Sequence, residues 1–68
     1  MPGTYKITEL VGTSPTSYAE ATKAAIAEAA KTLRHMAWFE VVDERGKIVD
    51  GAVAEFQVTL KIGFRIER

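Results

Sequence analysis

The sequence predicts an α+β fold of element order β-α-β-β: a three-stranded antiparallel-type sheet, order 1-3-2, packed on one helix. Three observations carry this expectation. Residues 52–66 alternate apolar and polar side chains without a break, as a strand with one buried face does. Residues 18–36 repeat apolar side chains at three- and four-residue spacing, which makes one helical stripe. Residues 4–11 and 36–45 are rich in β-formers and bounded by glycine or turn residues.

Taken in order, residues 4–11 form the first strand, between Gly3 and Gly12. Tyr5, Ile7 and Val11 share one face, and Glu9 falls there too while Leu10 falls on the other. Either a bulge shifts the pattern or Glu9 is needed at a contact. Two helix starts follow. Ser14 before Pro15 fits an N-cap with proline in the first helical position, and Ser17 with Glu20 fits a capping box one turn later. The helix runs over residues 18–35, with Tyr18, Ala21, Ala25, Ile26, Ala29, Leu33 and Met36 on its stripe. Its alanines allow close approach to a sheet, while Ala24, Ala27 and Ala30 face the polar side, open to a neighbouring subunit. Lys31, Arg34 and His35 in the last turn suit the negative end of the helix dipole.

Residues 36–45 form the second strand, and both Gly46-Lys47 and Asp50-Gly51 can turn the chain, the latter being the stronger hairpin pair. The third strand presents Ala52, Ala54, Phe56, Val58, Leu60, Ile62, Phe64 and Ile66 inward. Its length suits the sheet centre, with the other two strands beside it.

Sixty-eight residues make one domain, spanning 1–68, that buries only about 60% of the surface its unfolded chain exposes. Disulfides, a metal or oligomerisation usually support such a fold. With no cysteine and one histidine, oligomerisation is the expected route. Nine basic and nine acidic residues give zero formal net charge, which argues against a general nucleic-acid binder. The N-terminus has no apolar core of a signal peptide, and no apolar run reaches transmembrane length. Cytoplasmic residence is the expectation, and the lack of cysteine is compatible with it.

Trp38, the only tryptophan, alternates with Phe39 and Val41 and so points away from the helix, together with Glu40 and Val42. An outward indole is an oligomer-interface residue or a stacking platform for a planar ligand. Composition alone favours the interface. Gln57 shares the outer face, and its amide both donates and accepts, which matches a flat heteroaromatic ring with a polar edge. Arg45 and Arg65 lie at or near that face, as ordinary surface charge or as partners for a ring carbonyl or phosphate. Gly12-Thr13-Ser14 is a helix cap rather than a phosphate loop. Asp43 and Glu44 are turn residues. No nucleophile, base and orienting residue can be assembled, so the expectation is not an enzyme.

These residues resemble the dodecins, small flavin-binding proteins that assemble into hollow dodecamers. The resemblance covers nearly the whole chain, from Glu9-Leu10-Val11-Gly12-Thr13-Ser14 through Trp38-Phe39-Glu40-Val41 and Asp50-Gly51-Ala52-Val53 to Phe56-Gln57-Val58 and Gly63-Phe64-Arg65. It implies the β-α-β-β fold and a pair of flavins stacked between symmetry-related copies of Trp38. Gln57 then reads the polar edge, and Arg45 and Arg65 help hold the flavin. FMN is the implied ligand of a bacterial-type member, with riboflavin and FAD as alternatives. Coenzyme A is a second implied ligand, at Thr4, Lys6, Glu28, Thr32, Leu33 and Arg34. The function implied is non-enzymatic flavin storage, buffering and photoprotection. The competing reading is a structural or interaction oligomer in which Trp38 is only an interface residue, and a flavoenzyme stands a distant third.

Overall fold

A computed structural model describes residues 3–66. The elements follow the expected order: β1 (Tyr5–Ser14), α1 (Tyr18–Ala29), β2 (Met36–Val49) and β3 (Ala52–Arg65). The strands are arranged β1-β3-β2, and both outer strands run antiparallel to β3. β1 and β2 are therefore parallel, and α1 carries the chain back between them.

β1 pairs with β3 in unbroken register from Tyr5 opposite Arg65 to Ser14 opposite Phe56. That regularity excludes the bulge explanation for Glu9, which faces outward opposite Lys61. The strand runs three residues beyond the sequence expectation, because Gly12 is part of it. A Cβ at Gly12 would run into the Ala21 carbonyl and lie 2.8 Å from the Ala25 Cβ. Gly12 is where the helix backbone comes down onto the sheet. Ser14 is correspondingly not the helix cap. It is buried at the strand end, and its Oγ accepts a bond from the Thr16 N–H at 2.9 Å. Ser17 caps α1, its Oγ accepting from the Glu20 N–H at 3.0 Å.

The helix ends at Ala29, well short of His35. Lys31 N–H to Glu28 and Thr32 N–H to Ala29 make three-residue bonds that tighten and close the last turn. Leu33 and Met36 still pack on the core although they are no longer helical, so the apolar stripe continues past the helix. As a correction, Lys31, Arg34 and His35 lie outside α1, whose last turn holds no basic residue to meet the dipole. His35, at φ 61°, turns the chain into β2.

Asp50 and Gly51 both have positive φ, 52° and 77°, as a two-residue type I′ hairpin turn demands. Gly46-Lys47 is strand instead, and so are Asp43 and Glu44. The hairpin consequently extends past the helix. Ala52 and Ala54 are exposed there rather than inward in a core, and Ile48 and Val53 are 72% and 62% exposed.

The core is narrow. Ala21, Ala25 and Ala29 meet Val58, Leu60 and Ile62, with Leu10, Tyr18, Ile26, Leu33 and Met36 around them. Tyr18 meets Phe56 edge-on, with ring centroids 5.0 Å apart. The helix covers β1 and β3 and leaves β2 bare beyond Met36. Phe39, expected on the core side, is 51% exposed beside an open apolar hollow of about 230 Å³ that it shares with Ile26, Met36 and Ile62. The radius of gyration is 14.1 Å, against about 11 Å for a compact chain of this length. The accessible surface is 5008 Å², against about 4,200 Å² for a folded monomer of this mass. An isolated subunit leaves uncovered surface that a second copy can bury.

Gly12→Ala should lower stability by about 1–3 kcal/mol, because the atoms it meets belong to the helix rather than to a flexible side chain. A urea midpoint at fixed protein concentration measures this. An unchanged midpoint would show that the helix can back away from the sheet without loss.

Candidate functional site

The sheet face turned away from α1 is built of cross-strand rows. From one end they read Ile7–Gly63–Trp38, Glu9–Lys61–Glu40, Val11–Thr59–Asp43 and Thr13–Gln57–Arg45. Simple alternation from Trp38 would send Glu44 outward and Arg45 inward. The register shift between Val41 and Asp43 gives β2 one extra residue, Val42, and reverses the phase. Arg45 reaches the Gln57 row because of that bulge.

Trp38 lies over Gly63. A Cβ built on Gly63 would fall among the indole atoms Cε2, Cζ2 and Cη2 at near-equal range, which puts it above the ring rather than beside its edge. One indole face is thus committed to the Gly63 backbone. Tyr5 flanks it, with ring centroids 5.0 Å apart and planes inclined by 53°. Trp38 nevertheless stays 44% exposed, so its outer face is open.

At the other end, Arg45 donates from Nε to Gln57 Oε1 at 3.0 Å and from an η nitrogen to Thr59 Oγ1 at 2.9 Å. The same η nitrogen lies 3.4 Å from Asp43 Oδ2. Gln57 Nε2 donates to Glu55 Oε1 at 2.8 Å. These contacts fix which way the Gln57 amide points. A carbonyl oxygen accepts twice and an amide nitrogen donates twice, so each has capacity for one bond more.

Trp38 and Gln57 share a face but do not meet within one subunit. Gly63, the partner of Trp38, is six residues along β3 from Gln57, or about 20 Å at about 3.3 Å per residue. The joint platform and edge reader anticipated from the sequence is not formed by a single chain. Arg65 belongs to the tryptophan end, opposite Tyr5, and Arg45 to the glutamine end. Thr4, Lys6, Glu28, Thr32, Leu33 and Arg34 gather at the end where β1 begins, since α1 returns the chain there. Glu28 is held by Lys31 at 3.1 Å, and Leu33 packs on the core. Among the described residues no three of His, Cys, Asp and Glu are grouped to hold a metal ion.

Alternation along β3 places Glu55, Gln57, Thr59, Lys61, Gly63 and Arg65 on this face, as the structure does. Sequence reasoning missed Tyr5 and Gly63 as the surroundings of Trp38, and Thr59 and Glu55 as hydrogen-bond partners in the arginine–glutamine network. Gly63 carried a signal. An isolated glycine in an otherwise unbroken alternating strand marks close approach by another group.

Residues 4–67 match the family model described as Dodecin. The chain is 54% identical over 63 residues to the dodecin of Thermus thermophilus, covering 93% of this chain and 91% of that protein. Dodecin from Streptomyces coelicolor superposes with a TM-score of 0.94 at 52% identity, over 97% of this chain and 94% of that one. Dodecin from Streptomyces davaonensis gives 0.96 at 44% identity, with all of both chains covered.

Arg45→Ala should change stability by less than about 1 kcal/mol, because its side chain and its Asp43 partner are both exposed, at 43% and 64%. Urea denaturation measures the change. A larger loss would identify the Arg45 network as part of what holds the hairpin together.

Proposed function

The chain belongs to the dodecin family, and from that premise we propose that it binds flavin without catalysing a reaction, storing and shielding it inside a hollow dodecamer. The observation that carries this reading is the seating of Trp38: one indole face rests on Gly63, and the other is open on an exposed sheet. A flavin ring would stack on the open face, and flavin pairs would be closed between the indoles of two symmetry-related subunits. The residues present fit such a ring. Trp38 supplies the π-face, and the spare donor and acceptor of Gln57 match an edge of alternating acceptor and donor atoms.

The separation of about 20 Å between the Trp38 row and the Gln57 row implies that a single ring takes these residues from different subunits. The complete site then exists only in the assembled form. Arg65 and Arg45 would contribute charge toward a ring carbonyl or a phosphate, which favours FMN over riboflavin, with FAD the bulkier alternative. When bound, a photoexcited flavin is an oxidant. Trp38 in van der Waals contact would lend an electron to the excited ring and take it back, so that the excitation is lost with no net oxidation of either group, and the shell would keep water and oxidants away. We assign coenzyme A to the end carrying Thr4, Lys6, Glu28, Thr32, Leu33 and Arg34, where Lys6 and Arg34 would meet its phosphates. We place the assembly in the cytoplasm.

A second reading, a purely structural oligomer with Trp38 as an interface residue, draws on the bare β2 face and the excess surface of the isolated subunit. Titration with FMN separates the two. The flavin-binding reading expects quenching of both flavin and Trp38 emission, with Trp38→Ala weakening FMN binding on the order of 10–100-fold while the assembly mass is kept. The structural reading expects no response to FMN and a broken assembly in the variant.

The composite site has its own test. Trp38→Ala and Gln57→Ala subunits, unfolded and reassembled together, should recover strong FMN sites that neither variant has alone. No recovery in a correctly assembled mixture would mean that both residues act from one subunit.

A further inference from the structure

We infer that Gly63 and Tyr5 form a seat that sets the plane of the Trp38 indole, and that both are positioning residues for the stacked ring. The ligand in this inference rests on the flavin reading above; the seat itself rests on geometry. Gly63 sits buried in the central strand, where a glycine weakens a sheet and normally has a reason to be there. The reason is not the backbone, since Gly51 is the one glycine with positive φ among the described residues. The reason is the indole, whose ring atoms occupy the space a Cβ would fill.

Tyr5 closes the seat from the far side. It stands on β1 opposite Arg65, one row beyond Gly63, and Trp38 stands on β2 opposite Gly63. Two large side chains on opposite outer strands meet across the central one only where that strand has no side chain between them. Their rings make contact at 5.0 Å, inclined by 53°. With the sheet beneath and Tyr5 beside it, the indole cannot tip toward β1 or sink further. Its plane is fixed before a ligand arrives, so little ordering is left for binding to impose.

Gly63→Ala is the direct test, because alanine suits the backbone there and the group it displaces is a half-exposed side chain, the Trp38 indole, rather than main chain. The expected result is an intact assembly by mass and far-UV circular dichroism, a changed near-UV tryptophan band without ligand, and FMN affinity weaker by roughly tenfold. Tyr5→Phe should keep wild-type affinity, and Tyr5→Leu should lose several-fold. Wild-type affinity in both Gly63→Ala and Tyr5→Leu would overturn the seat. If Gly63→Ala does not assemble, the Tyr5 pair decides alone. If the wild-type protein ignores FMN, the flavin reading fails, and the seat still stands or falls on the ligand-free near-UV band.

Discussion

One short helix has to hold down a long sheet, and most of the molecule follows from that mismatch. Twelve helical residues span about 18 Å, whereas the fourteen of β3 span about 46 Å. The buried core exists only where the two overlap, as three alanines against Val58, Leu60 and Ile62. Small residues let the helix settle close, and Gly12 lets its backbone approach further still. A close helix also covers little width. β2 is left without cover on the helix face, and the hairpin runs out past the helix with Ile48 and Val53 in solvent. A chain so built has too little core to be complete alone, and its natural completion is further copies of itself.

Much of this was legible in the sequence, for identifiable reasons. The alternation of β3 reports burial on one side directly, and the Asp50-Gly51 pair reports a hairpin because both residues tolerate positive φ. The helix end was not legible. Leu33 and Met36 pack into the same core from non-helical backbone, and periodicity records only that a side chain is apolar at the right interval. The extra residue at Val42 was hidden as well, because a bulge is defined by the partner strand. Arg45 was assigned to the outer face, yet alternation alone would have turned it inward. Side-chain parity also gave Trp38 and Gln57 their common face and said nothing of the six-residue offset along β3 that separates them.

That separation matters more than the shared face. Two groups about 20 Å apart on a stiff strand cannot close on one ring, whatever rotamers they adopt. In the proposed complex, a site that needs both is a property of the contact between subunits. Ligand and assembly are then linked: anything that binds only the assembled form stabilises it by mass action. The interface and platform readings of Trp38 cease to compete, since an indole can lie at a subunit boundary because its ligand does.

The asymmetry of the indole sets a limit on what can be stacked there. With one face committed to Gly63, each subunit offers a single stacking surface, directed off the sheet. A column of planar rings begun on that surface cannot continue through the indole, because the sheet lies behind it. It can only be ended, and the group able to end it with equal complementarity is the open indole of a second subunit. A two-fold pairing of subunits would close the column at both ends and fix the number of rings by the gap between the two sheets. In the proposed complex the glycine under Trp38 would thus bear on stoichiometry as much as on affinity. It keeps the tryptophan flat against its own strand, which in the proposed complex would leave the space between facing subunits to the ligand.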